Sequence, residues 1–274
     1  MRRIVADSSA NLFEFGKVDY TTVPLKIRVD QHEFVDDENL DVEAMLSALE
    51  KTTSPSTTSC PSAGEWLEAF EGADEIFAIT ISSKLSGSYN SAELAKEEYM
   101  SENENAKVHV FDSKETGPGM RLIIEKINEL TEQGCSFEET VEKVTEYMKT
   151  TNLCFLLHSV NNLARNGRVN ILLAKLIGAL DIKMLGRADD GVIDAFGKYK
   201  GERKAIKETM TELLRMGYKG GKVRIDHVLN LDAAEKLKSM IKEQFPNSDV
   251  IIGTCKGLCG FYAERRGMII GYEC

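Results

Sequence analysis

The chain has 274 residues, enough for one large domain or two modest ones. Its 34 Lys and Arg against 44 Asp and Glu give a formal charge of −10, which argues against general binding to nucleic acid or an anionic membrane, since both reward excess positive charge. An apolar share of 42% with only 5 Pro excludes a disordered chain, and no apolar run approaches the roughly 20 residues of an integral membrane segment.

The opening Met1-Arg2-Arg3-Ile4-Val5-Ala6-Asp7 meets an acid before a signal core can form, so a cytoplasmic protein is expected. From there a unit repeats: a short apolar strand, a loop rich in Ser and Thr, then a helix. Ile4-Val5-Ala6 leads into Asp7-Ser8-Ser9, Ile76 to Ile81 into Ser82 to Ser88, and Val108 to Phe111 into Asp112 to Gly117. Helices are expected over Val42–Glu50, through Ala92 to Ala95, over Met120–Gln133 and over Phe137–Thr150. Strands apolar on both faces and alternating with helices predict a parallel sheet covered on both sides, the three-layer α/β class.

After about residue 150 the texture changes. Leu153–Leu157 reads as a strand and Val160–Leu180 as mostly helical. Ile182–Leu185, the turn Asp189-Asp190-Gly191 and Val192–Phe196 read as a hairpin. Helices over Glu202–Met216 and Ala233–Gln244 alternate with strands at Val223–Val228, Val250–Gly253 and Met268–Tyr272. The predicted organisation is therefore an α/β unit over 1–150 and an α+β unit over 151–274.

Two segments carry chemistry. Ser62 and Glu65 are spaced as a capping box, and Thr57-Thr58-Ser59-Cys60-Pro61 precedes that helix start. Ser82-Ser83-Lys84-Leu85-Ser86-Gly87-Ser88 repeats the arrangement after a buried strand, with Gly87 allowing close backbone approach. Free N–H groups and a positive dipole end at a helix start, with hydroxyls beside them, suit a carboxylate or phosphate. Both loops fall at the carboxyl ends of strands, where open α/β sheets bind ligands. Catalytic signatures are missing: there is no Gly-x-Ser-x-Gly elbow, no phosphate-binding loop ending in Gly-Lys-Ser/Thr and no Gly-x-Gly-x-x-Gly. His109 and His227 sit in strand patterns and read as structural. The six cysteines are dispersed, which predicts reduced thiols, and Cys255 with Cys259 lacks the second ligand pair of a zinc site. No metal or cofactor is expected. A rival reading is a small-molecule hydrolase or phosphotransferase with Ser86 as nucleophile or Asp112 as base; another is an interaction module with a vestigial pocket.

Ile4-Val5-Ala6-Asp7-Ser8-Ser9, Thr57-Thr58-Ser59-Cys60-Pro61-Ser62, Ser82 to Tyr89 around Leu85-Ser86-Gly87-Ser88, Phe111-Asp112-Ser113 and Asn166-Gly167-Arg168-Val169 occur in the order found in the DegV family, which the chain resembles over nearly its whole length. The resemblance implies a two-domain DegV-like fold with one long-chain fatty acid between the domains, and no catalysis by the chain itself. The carboxylate would be held by Thr58 and by Ser86 with its neighbours Ser59 and Gly87, the tail by an apolar tunnel. It further implies a carrier that presents the acid to a separate ATP-using fatty acid kinase catalytic subunit, which makes the acyl phosphate. Arg168 would serve the domain interface or the kinase contact rather than the head group. The family's last segment carries a His-Thr-Gly-Pro-like run; with its final glycine on Gly267, Ala263 to Arg266 stand there instead. Either Arg265 or Arg266 supplies a charge-assisted contact in place of that histidine, or hydroxyls and backbone suffice.

Overall fold

The computed structural model describes residues 1–16, 18–170 and 181–274. Its first sheet is built from the apolar runs: β1 (Arg2–Asp7), β2 (Tyr20–Val23), β6 (Glu75–Thr80) and β7 (Lys107–Asp112) pair in the order β2-β1-β6-β7, all parallel. A small antiparallel sheet, β4-β3-β5, joins β3 (Lys26–Val29), β4 (His32–Val35) and β5 (Thr57–Ser59). The second large sheet runs β10-β9-β8-β13-β11-β12, from β8 (Thr151–Leu157), β9 (Ile182–Asp189), β10 (Val192–Lys200), β11 (Lys222–His227), β12 (Asp249–Thr254) and β13 (Met268–Glu273). Its pairs are antiparallel except β11 with β12. Each sheet draws its strands from one side of residue 151.

The long apolar strands and the hairpin fall where periodicity puts them. Strands β2 to β5 escape that reading because they are three or four residues long and only partly buried. Thr58 therefore sits on a strand, opposite Ile27 of β3, and not on a free loop. The helix expected from Val160 is α6 (Asn161–Arg165), the sixth in chain order, and it ends before Gly167, whose φ of 72° stops it. Positions 171–180 lie outside the described residues. A short helix near the C-terminus, α9 (Gly257–Ala263), was not expected from the pattern.

The helix expected from Met120 starts two residues earlier, as α4 (Pro118–Glu132), behind Gly117. Gly117 takes φ 51° and Pro118 enters the first turn, where its missing N–H costs nothing. A Cβ on Gly271 of β13 would fall 2.7 Å from the backbone nitrogen of Gly119, so strand and helix start cross backbone to backbone. That crossing docks α4 between the two large sheets. Met120, Ile123 and Ile127 pack with Ile4 and Phe77 on one side, while Glu125 faces Arg224 of β11 on the other. The Arg224 guanidinium is 3% exposed and donates to both Glu125 oxygens, at 2.8 and 2.7 Å, and to Asp249 at 2.6 Å. Removing one member of such a pair strands a buried charge. Arg224→Met should lower unfolding stability by about 3 kcal/mol, read by urea titration. Arg224→Met combined with Glu125→Leu should recover part of that loss.

Candidate functional site

Buried carboxyls at strand ends hold the site loops. Asp7, at the end of β1, accepts from the Ile81 N–H at 2.9 Å and the Ser88 hydroxyl at 2.7 Å, which fixes the 81–88 loop against the sheet. Asp36 accepts from the N–H groups of Gly257 and Leu258, at 2.7 and 2.9 Å, and from the Ser8 hydroxyl. It thereby seats α9. Burial pushes Asp36 up to about 6, against the lowering effect of those donors, and raises Asp7 in the same way.

Between these anchors lies a cavity of about 290 Å³, near the lower end of the range of small-molecule sites. Thr58, Ser59, Ser86 and Gly87 all line it. The two hydroxyl segments abut, for a Cβ on Gly87 would stand 3.2 Å from the Cys60 sulfur. The Ser86 Oγ accepts from the Ser88 N–H at 3.3 Å, at the start of α3 (Ser88–Glu102), which leaves its proton free to donate toward the cavity. The Thr58 Oγ1 lies 2.8 Å from the Tyr262 hydroxyl.

Two residues join this wall that the sequence did not assign to it. Tyr262, in the last turn of α9, stands one position before the Ala263 on which an ungapped alignment puts the family histidine. Arg168 also lines the cavity. Its guanidinium donates to the Leu85 carbonyl at 3.1 Å and lies 6.0 Å from the centre of the Tyr262 ring. Arg168 thus joins residues from either side of position 151, as expected of an interface residue, through Leu85, and in addition it lines the head of the cavity. Arg265 and Arg266 do not reach it. Arg265 pairs with Glu50, and Arg266 lies 2.8 Å from Glu202. Glu264 and Arg266 both adopt left-handed backbone, φ 54° and 69°, so the chain reverses after Tyr262 and carries the arginines outward.

A second, narrower chamber of about 70 Å³ continues from the first. Leu85, Thr116, Leu163, Ile193, Tyr262 and Ile269 line both, and Leu153, Phe155, Leu157 and Val192 extend the apolar wall. The β9–β10 turn closes its rim. Asp190 there receives Lys114 at 2.5 Å and Lys84 at 2.7 Å, which hold its carboxyl down at about 2, and the Ser82 hydroxyl donates to the Gly191 carbonyl at 2.7 Å. The whole cavity has an amphiphile's form: hydroxyls, a helix start and a guanidinium at one end, hydrocarbon at the other. No histidine among the described residues lines either chamber. Asp112 is engaged by the Ser83 N–H at 3.0 Å and the Ser83 hydroxyl at 2.5 Å, so it is not presented to Ser86 as a base. Among the described residues no cluster of three metal-ligating side chains occurs, and no helix is long and apolar enough to cross a membrane.

Glu115 is among the residues at this chamber, and burial pushes its carboxyl up from the ordinary 4.5 to about 8. The folded chain keeps this proton over a window in which the unfolded chain has released it, so stability falls as pH rises from about 5 to about 8. Glu115→Gln is neutral throughout. Its thermal stability should gain on the native protein across that window, by a few kcal/mol at the upper end, when both are melted as a function of pH.

The comparisons with known proteins run end to end. The sequence model of the DegV family matches residues 1–273. A DegV domain-containing protein of Streptococcus pneumoniae is 40% identical over 276 residues, covering 99% of this chain and 98% of the relative. The crystal structure of the Streptococcus pneumoniae fatty acid kinase B3 protein loaded with linoleic acid superposes with a TM-score of 0.98 at 39% identity, covering 99% of both chains. A DegV family protein of Eubacterium eligens loaded with heptadecanoic acid superposes equally well, at 43% identity over 100% of this chain and 99% of that one. Sequence and fold agree over the full length, and the chain belongs to the DegV family.

Proposed function

We propose that this protein binds one long-chain fatty acid non-covalently and hands it, still bound, to a separate ATP-dependent kinase that forms the acyl phosphate. The observation that carries the reading is the continuity of a polar chamber containing Thr58, Ser86 and Arg168 with an apolar one. Thr58 and Ser86 donate to the carboxylate, with Ser59 and the Gly87 backbone beside them. Arg168 supplies positive charge, which matters in a chain of net charge −10. Tyr262 orients Thr58 and separates the head from the tail. Fatty acids in the pneumococcal and Eubacterium structures support the ligand class, and the kinase name of the pneumococcal protein supports the partner.

Native mass spectrometry of gently purified protein should show a bound acyl mass, and the delipidated protein should take up palmitate or oleate again. Thr58→Ala with Ser86→Ala should weaken uptake about tenfold or more, from two lost hydrogen bonds. Unchanged affinity would remove them as anchors. Supplying the loaded protein and ATP to a fatty acid kinase catalytic subunit should yield acyl phosphate, and neither component alone should.

The rim contacts of Asp190 are exposed ion pairs, weak singly and screened by salt. Asp190→Asn should speed release of bound oleate about threefold. Raised salt should speed release from the native protein and have little further effect on the variant, by stopped-flow transfer to a lipid acceptor.

A further inference from the structure

One face of the second large sheet is the floor of the tail chamber. On β8 it carries Leu153, Phe155 and Leu157, which share a core cluster with Met184 of β9 and Ile269 of β13. Strand alternation puts Gly186 on that same face, two residues after Met184, and Phe155 pairs with Gly186 on one side and with Ile269 on the other. Phe155 is the largest side chain of this floor, and it lines the chamber. Its ring leans sideways onto β9: a Cβ on Gly186 would overlap the Cζ of Phe155 and fall 2.5 Å from its Cε2. The Asp194 carbonyl of β10 would stand 2.7 Å from the same Cβ, so no side chain fits at 186 without lifting the ring or parting the hairpin. Glycine inside a strand weakens it, and an aromatic ring laid over it restores part of the loss. The chamber above is only about 70 Å³, and a ring raised from Gly186 would enter that space.

We propose that Phe155, seated on Gly186, sets the bore of the tail chamber and is the specificity residue that admits acyl chains bent by a cis double bond. This rests on the fatty-acid reading above and adds to it a choice among chain shapes. An extended saturated chain keeps one cross-section along its length, whereas a cis double bond turns the chain and widens the path it sweeps. With the ring flat on β9 the floor has its greatest depth, and the turned stretch packs on Phe155. With the ring raised, a straight chain still threads the chamber, but a bent one loses wall contact. Each methylene held off the wall lowers affinity about fourfold.

The test competes three acids against a fluorescent fatty acid on delipidated protein: oleic acid, its straight trans isomer elaidic acid, and stearic acid. Phe155→Trp, whose larger ring does not fit the space over Gly186, should bind oleic acid about tenfold or more weakly than the native protein, with elaidic and stearic acids changing less than about threefold. Gly186→Ala should give the same loss by lifting the native ring. Gly186→Ala with Phe155→Leu should recover oleic acid binding, since leucine has no ring to lift, and that recovery separates a raised ring from a disturbed hairpin. A ratio of oleic to elaidic affinity that Phe155→Trp leaves at its native value overturns the proposal, as does a loss in Gly186→Ala that the added leucine does not reverse. Should Gly186→Ala fail to fold, Phe155→Trp decides on the same terms. If none of the three acids binds the native protein, the fatty-acid reading itself fails.

Discussion

The site depends on carboxyls that are buried where chain segments must meet. Asp7 gathers a backbone N–H and a hydroxyl from the 81–88 loop. Asp36 gathers two N–H groups from the start of α9. The Asp226 carboxyl, raised to about 6 by burial, accepts from the Asn11 amide at 2.7 Å. Each contact joins residues far apart in the chain and fixes a backbone that would otherwise be a free loop. The hydroxyls of Thr58 and Ser86 and the ring of Tyr262 are thereby set without any of them being deeply buried. Buried carboxyls of this kind are expensive to leave unmatched, so their donors are held closely, and the polar end of the cavity inherits that rigidity.

Much of this was legible in the sequence, for identifiable reasons. Strands β1, β6 and β7 are continuous apolar runs flanked by hydroxyl-rich turns, and a buried parallel strand leaves that trace. Thr58 and Ser86 stand out because each sits before a helix start. Tyr262 left no such trace: its contact with Thr58 spans 204 positions, and nothing local marks an aromatic residue in a short helix as part of a polar site. Arg265 and Arg266 drew attention as charges near the expected place, but charge and position in an alignment say nothing of direction. The left-handed backbone at Glu264 and Arg266 decides that, and neither residue is a glycine that would have announced it. Glu115 was invisible for the opposite reason, since an acid between Lys114 and Thr116 reads as a solvated loop residue until the second sheet closes over it.

The two ends of the cavity divide the energetics of a bound amphiphile unequally. A tail of about 15 methylenes contributes up to roughly 12 kcal/mol before the costs of association. A hydroxyl hydrogen bond to the head contributes about 1 kcal/mol. On the proposed reading, affinity would be set in the chamber lined by Leu153, Phe155 and Leu157, while the polar end would set direction. That division suits a carrier better than an enzyme's substrate site. In the proposed complex, a head group held by Thr58, Ser86 and Arg168 would exchange those partners for another protein's donors at small cost, while the tail would keep the ligand in place. An enzyme acting on the carboxyl would instead concentrate its binding energy at the reacting centre.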